Sequence, residues 1–326
     1  MNVRRHHISG LATAAATALA LGTLSACSSD SAAAGNTDKF DVVASFYPMA
    51  YLAEQIGGEH VNVTSLTRPG QEPHDLEIST QQRAQLEESD AALYLKGLQP
   101  TVDEAVAQSG IKTKIDAATL TELEDLGTED GHDHGGEEAH SEEHAEEHSE
   151  EEHALDPHVW LDPTKYAEVA EGVGKALQKA DPDHAADYRK NTADLVKKLT
   201  ALDTAFEEGL KNTRTKVFFT NHAAFGYLAH RYGLTQEAIS GLDPESEPSA
   251  ARVKELQQEA KADGVTTVFY ETLVSDKTAK TLAKDAGLKT DVLDPVEGIT
   301  DKSRGDDYIQ VMEANLKALQ KALGSK

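Results

Sequence analysis

Residues Phe40 to Gly58 read FDVVASFYPMAYLAEQIGG, an apolar β-branched run that passes directly into an apolar helical pattern. Phe40 to Tyr47 has the length and composition of a buried strand. Pro48 then opens a helix through Ile56, and Gly57-Gly58 stops it. The same alternation continues downstream. Val61 to Thr67 is a second strand, and Ser79 with Gln82 forms a capping-box pattern that starts a helix ending near Ser89. Ala91 to Lys96 supplies a third strand. Strand–helix alternation of this kind predicts a parallel sheet covered by helices.

The pattern breaks and then resumes. Asp162-Pro163 combines an N-cap with a proline at the first helical position, and a helix runs from there to about Lys179. A second helix extends from about Pro182 to about Asn212. Its apolar residues Leu195, Leu199, Leu202, Phe206 and Leu210 recur at three-and-four spacing, so one stripe is buried over many turns. About 30 residues at about 1.5 Å each make a rod of roughly 45 Å. Strands at Lys216–Thr220, near Gln236–Ser240, at Val265–Tyr270 and at Thr290–Leu293 then alternate with helices Ala223–Tyr232, Ser249–Asp263, one capped by Ser275 and ending at Gly287, and one from about Asp306. The predicted fold is therefore α/β: two lobes with parallel-type sheets linked by one long rigid helix. The lobes occupy 39–181 and 214–326, with the spine at 182–213. Ligands of open α/β sheets bind beyond the carboxyl ends of the strands, which places the site in the interlobe cleft.

The N-terminus carries an address. Arg4 and Arg5 precede a short apolar run, Leu11 to Leu24, that is too short to span a bilayer and fits a secretory signal. It ends at Leu24-Ser25-Ala26-Cys27, similar to a bacterial lipobox, in which cleavage precedes a lipid-modified cysteine. Residues 1–26 are thus expected to be a lipoprotein signal peptide, and 27–38 a flexible tether. Cys27 is the only cysteine, which excludes an intramolecular disulfide and a thiolate metal site. The formal charge of −26 over 326 residues repels nucleic acid and favours cations.

Between Thr128 and Ala154 lies EDGHDHGGEEAHSEEHAEEHSEEEH, with six histidines, twelve carboxylates and no Lys or Arg. Such a segment cannot bury enough apolar surface to offset its ordering entropy, so 128–154 is expected to be a disordered loop. His132, His134, His140, His144, His148 and His153 nevertheless suit a transition metal, since imidazole with carboxylate is a zinc ligand set. They are expected to act as an auxiliary, weak metal loop.

Three other histidines sit in stiff frames. His74 lies in Pro69–Asp75, just past the second strand. His158 lies in Asp156–Pro163, and His222 follows the apolar strand VFFT at a strand-to-helix turn. Prolines or a helix start pre-orient each of them. Asp294 ends the strand DVLD before Pro295. Three imidazoles and one carboxylate make a tetrahedral set for Zn²⁺. Glu72 is an alternative or extra ligand, and Glu271, at the end of VFYE, is a candidate acceptor for a ligand imidazole N–H. His60, His184 and His230 read as structural, and Asp162 as a helix cap.

The ordered segments SFYPMAYLAEQIGG, RPGQEPHD, DPHVWLDP, TNHAAFGYLAHRYGL, FYETLVS and VLDPVEGIT make the chain similar to the zinc/manganese class of ABC-transporter solute-binding lipoproteins, in its zinc-uptake (ZnuA-like) branch. The likeness runs from Phe40 to Leu323. It implies two α/β lobes on a rigid helix with the metal between them, and it implies His74, His158, His222 and Asp294 as ligands. A histidine rather than a carboxylate at 222 favours Zn²⁺ over Mn²⁺. The implied function is extracytoplasmic zinc capture and delivery to a metal-ion ABC permease and its ATPase. The protein would be a monomer, lipid-anchored to the outer face of the bacterial cell membrane. Two other classes compete: a zinc-dependent hydrolase, for which no HExxH pattern or positioned base is present, and a surface adhesin or metal buffer.

Overall fold

The computed structural model describes residues 39–126 and 155–325. The signal sequence, Cys27, the tether and the histidine-rich tract (His132, His134, His140, His144, His148 and His153) lie outside the described residues. None of the described helices is long and apolar enough to cross a membrane.

The opening segment forms strand β1 (Phe40–Ala44) and helix α1 (Tyr47–Gly57), with Pro48 in the first turn. Then follow β2 (Val61–Ser65), α2 (Thr80–Glu88) and β3 (Ala91–Tyr94). Ser79 and Gln82 close a reciprocal capping box on α2. The structure adds α3 (Pro100–Gln108) and an edge strand, β4 (Thr113–Asp116), which the sequence pattern does not announce. The reason is local: β4 reads TKID, and only Ile115 is buried. An edge strand is not covered on both sides and needs no continuous apolar run.

These strands form an all-parallel sheet in the order β2-β1-β3-β4. Alternate residues of the central strands serve different cores, as strand periodicity requires. Val42, Ala44 and Leu93 join the principal core, whereas Val43 and Ala92 pack with Leu66, Leu86, Val102 and Val106 under α2 and α3.

After the described chain resumes come α4 (Pro163–Ala180) and α5 (Ala185–Leu210). Asp162 caps α4 by accepting the Thr164 N–H. A short 3₁₀ turn at Pro182–His184 precedes α5, whose stripe Leu195, Leu199, Leu202, Phe206 and Leu210 is buried as the periodicity requires. Its 26 residues span about 39 Å.

The second lobe runs β5 (Val217–Thr220), α6 (Gly226–Tyr232), β6 (Thr235–Ala238), α7 (Ala250–Ala262), β7 (Thr267–Tyr270), α8 (Lys277–Ala286), β8 (Lys289–Val292) and α9 (Tyr308–Leu323). Its parallel sheet has the order β6-β5-β7-β8, the same topology as the first. Helix α6 begins three residues later than expected, because Ala223–Phe225 stay in turns. Leu52, Trp160, Tyr166, Leu199, Phe206, Phe218, Phe269 and Leu319 share one core, so both sheets and the spine rest on common apolar ground.

Candidate metal centre

Four side chains converge beyond the carboxyl ends of the strands: His74, His158, His222 and Glu297. One donor atom from each lies within 4.8 Å of every other. Glu297 Oε1 is 3.3 Å from His74 Nε2, 3.4 Å from His158 Nε2 and 3.6 Å from His222 Nε2. A tetrahedral zinc with bonds of about 2.0–2.1 Å would separate its ligand atoms by roughly 3.3–3.4 Å. The spacing therefore fits a four-coordinate ion. The nitrogens His158 Nε2 and His222 Nε2, and the second oxygen of Glu297, Oε2, are buried and make no hydrogen bond. Buried polar atoms without partners are rare and call for an occupant.

Each histidine is held from behind. His74 sits in the loop after β2, where Glu72 accepts the backbone N–H groups of His74 (3.0 Å) and Asp75 (3.3 Å). Gln99, itself buried, donates to the carbonyl of Pro73 and to the Thr67 hydroxyl, fixing the root of that loop. His158 directs Nδ1 to Asp156 Oδ1 at 2.8 Å, and the same oxygen accepts the His158 backbone N–H. His222 directs Nδ1 to Glu271 Oε1. A carboxylate on Nδ1 fixes the proton there and leaves Nε2 as a lone pair aimed at the cluster. His74 retains 12 % side-chain exposure while the other three are fully buried, so its side opens to solvent.

The electrostatics follow from this enclosure. Burial opposes charge on His222, but Glu271 and Glu297 outweigh it and push its pKa up to about 10. His158 is raised as well, with burial opposed by Asp156 and Glu297. Burial would raise Glu297, yet the three imidazoles hold it well below the usual carboxylate range. The carboxylates around His158 and His222 thus favour charge on these imidazoles, and the imidazoles in turn favour charge on Glu297.

The structure does not bring every expected residue to this point. Asp294, expected as the fourth ligand, turns away. Its carboxylate accepts from the backbone N–H of Val296 (2.8 Å) and from the hydroxyls of Thr272 (3.0 Å) and Ser303 (3.3 Å). Glu297 takes the fourth corner instead. Glu72 is occupied in capping the loop of His74, and its nearest oxygen is 4.0 Å from His74 Nε2. In both cases a nearby backbone N–H donates to the carboxylate, joined on Asp294 by two hydroxyls. Asp156 escaped the sequence reading. Its signal was present, an Asp two residues before a histidine across a proline. His60 and His184 stack at 4.1 Å and pair with Asp187 and Asp181 away from the cluster, and His230 is an exposed neighbour of Glu124.

Comparison with known proteins yields a consistent set of likenesses. The family described as "ZnuA: Zinc-uptake complex component A periplasmic" matches residues 42–322. Zinc-binding lipoprotein AdcA of Streptococcus pneumoniae is 39% identical over 304 residues, 91% of this chain, and the chain spans only 58% of that relative's length. The high-affinity zinc uptake system protein ZnuA of Bacillus subtilis is 36% identical over 321 residues, covering 97% of each. Among solved structures, the Zn(II)-bound ZnuA-like domain of Streptococcus pneumoniae AdcA superposes with a TM-score of 0.70 at 35% identity, over 87% of this chain and 99% of that domain.

Proposed function

Because this chain belongs to the ZnuA family of zinc-uptake components, we propose that it captures Zn²⁺ outside the cytoplasm and hands it to an ABC permease driven by an ATPase. One observation carries this reading: three neutral-capable imidazoles and one carboxylate meet at tetrahedral spacing, two of the imidazole nitrogens buried without a partner. His74, His158, His222 and Glu297 are the ligands, and Asp156 and Glu271 orient two of them. The donor set of nitrogen and oxygen without sulfur suits Zn²⁺, and carboxylate-richer sites suit Mn²⁺. With Glu297 at the fourth corner, a four-coordinate ion keeps no open position for an activated water. That favours carriage over hydrolysis. A lipid on Cys27 would hold the monomer at the outer face of the membrane, with 39–181 and 214–326 as lobes around the spine. The histidine-rich tract would collect zinc weakly beside the tight site.

Elemental analysis of protein purified without added metal, followed by competition titration against a zinc chelator, tests the reading. One tight zinc per chain is expected, with His222→Ala and Glu297→Ala each at least about tenfold weaker, since lost ligands should outweigh the changes typical of outer groups. Wild-type affinity in His222→Ala would sink it.

A further inference from the structure

Glu297 reaches the cluster through a backbone that its own neighbour resists. Val296 has φ of +60°, the only positive φ at a non-glycine among the described residues. A β-branched residue in the left-handed region is a steric outlier that surrounding structure must impose. The imposing groups are visible. Asp294 Oδ1 accepts the Val296 N–H at 2.8 Å, closing a tight turn across Pro295. Its other oxygen accepts from Thr272 and Ser303, so the carboxylate cannot rotate away. Asn315 grips the same residue through its backbone, accepting from Asp294 N–H at 2.9 Å and donating to Asp294 O at 2.7 Å. Val296 itself is fully buried, and the next residue is the ligand.

From this we infer that Asp294 is a positioning residue for zinc: it holds Val296 in the left-handed conformation that aims Glu297 at the ion. The inference rests on Glu297 being the fourth ligand. It explains why a strained valine persists here, and it assigns a use to a buried carboxylate that touches none of the three histidines. The strain also singles out Glu297. Of the four ligands, it is the one that directly follows a strained residue, so it is the first to leave once Asp294 lets go.

A double-mutant cycle tests this, because glycine adopts positive φ without steric cost. Asp294→Ala should weaken zinc binding about 10–100-fold, the range expected for a group acting through a ligand. Asp294→Asn retains an oxygen acceptor for the Val296 N–H and should stay within about threefold of wild type. Val296→Gly alone should also change affinity little. Combined with Asp294→Ala, it should recover most of the loss. The Co²⁺-loaded protein supplies a second readout: Asp294→Ala should lose the intense visible bands of a four-coordinate ion, and adding Val296→Gly should restore them. Thermal melting of the metal-free proteins separates a general folding defect from this local one. The inference is overturned if the double variant binds as weakly as Asp294→Ala, if Asp294→Ala binds like wild type, or if Asp294→Asn fails as badly as Asp294→Ala. Failure of the zinc site itself would show separately, as wild-type affinity in Glu297→Ala.

Discussion

The indole N–H of Trp160 donates to the carbonyl of Pro295 at 2.7 Å. Trp160 belongs to the segment that carries His158, and Pro295 to the loop that carries Glu297, so one buried hydrogen bond ties two ligand segments 135 positions apart. The Trp160 ring also packs against His158, with centroids 5.1 Å apart, and edge-on against Phe46.

Replacing Trp160 by Phe keeps much of the packing but removes the donor. The Pro295 carbonyl would then be buried without a partner, at a cost of about 1–3 kcal/mol. Denaturant unfolding of the metal-free protein should show that loss, and zinc should dissociate several-fold faster. An unchanged midpoint together with an unchanged dissociation rate would refute the link.

Zinc affinity should climb as pH rises from about 6.5 toward about 10, because the metal needs a neutral imidazole. His222 carries its proton up to a pKa of about 10 in the metal-free fold. That raised value stabilises the metal-free fold fully below the ordinary histidine pKa of about 6.5. That benefit is lost as pH rises through the folded value, and the same deprotonation frees the imidazole for the metal. Glu271→Gln removes the neighbouring charge that holds the proton, and its affinity profile should shift to lower pH. Competition titrations across this range decide the matter, and coincident profiles for the two proteins would count against it.

Only a small closure should accompany zinc binding. Helix α5 is continuous from Ala185 to Leu210, buries a stripe along its length and packs against α1, α4 and α9. Hinged closure needs a few loop or element-end residues to absorb large dihedral changes, and this connection offers a packed helix instead. Solution scattering with and without zinc should give nearly superposable curves. A marked compaction would contradict the expectation.

Deleting 129–153 should leave the tight zinc event intact and remove weaker ones. The flanks on either side are stitched together independently: Asp156 N–H donates to the Glu124 carbonyl, and the Tyr227 hydroxyl accepts from Glu124 N–H while donating to Asp156 O. The shortened connection can therefore close without disturbing Asp156 or the imidazole it orients. Calorimetry checks this, and loss of the tight event on deletion would place the tract among the ligands.

Much of the architecture was legible because it depends on neighbours in sequence. The buried strands β1, β3, β5 and β7 read as apolar runs, and the capping box of α2 and the stripe of α5 are local signals of their helices. The edge strand β4 was invisible for the same reason, since TKID has no apolar run and is a strand only because β3 lies beside it. His74, His158 and His222 stood out because proline or a helix start stiffens each loop.

The two parallel sheets, the rod between them and three histidines in stiff loops were readable along the chain. Those features are set by periodicity, turn chemistry and position at strand ends. The tertiary structure decided which carboxylate faces the imidazoles. Asp294 and Glu297 are three residues apart on one loop, and propensity does not choose between them. The choice lies in the sign of φ at Val296, which Thr272, Ser303, Asn315 and Trp160 impose from elsewhere in the chain by fixing Asp294 and Pro295. A dihedral held by remote hydrogen bonds leaves no local pattern to read.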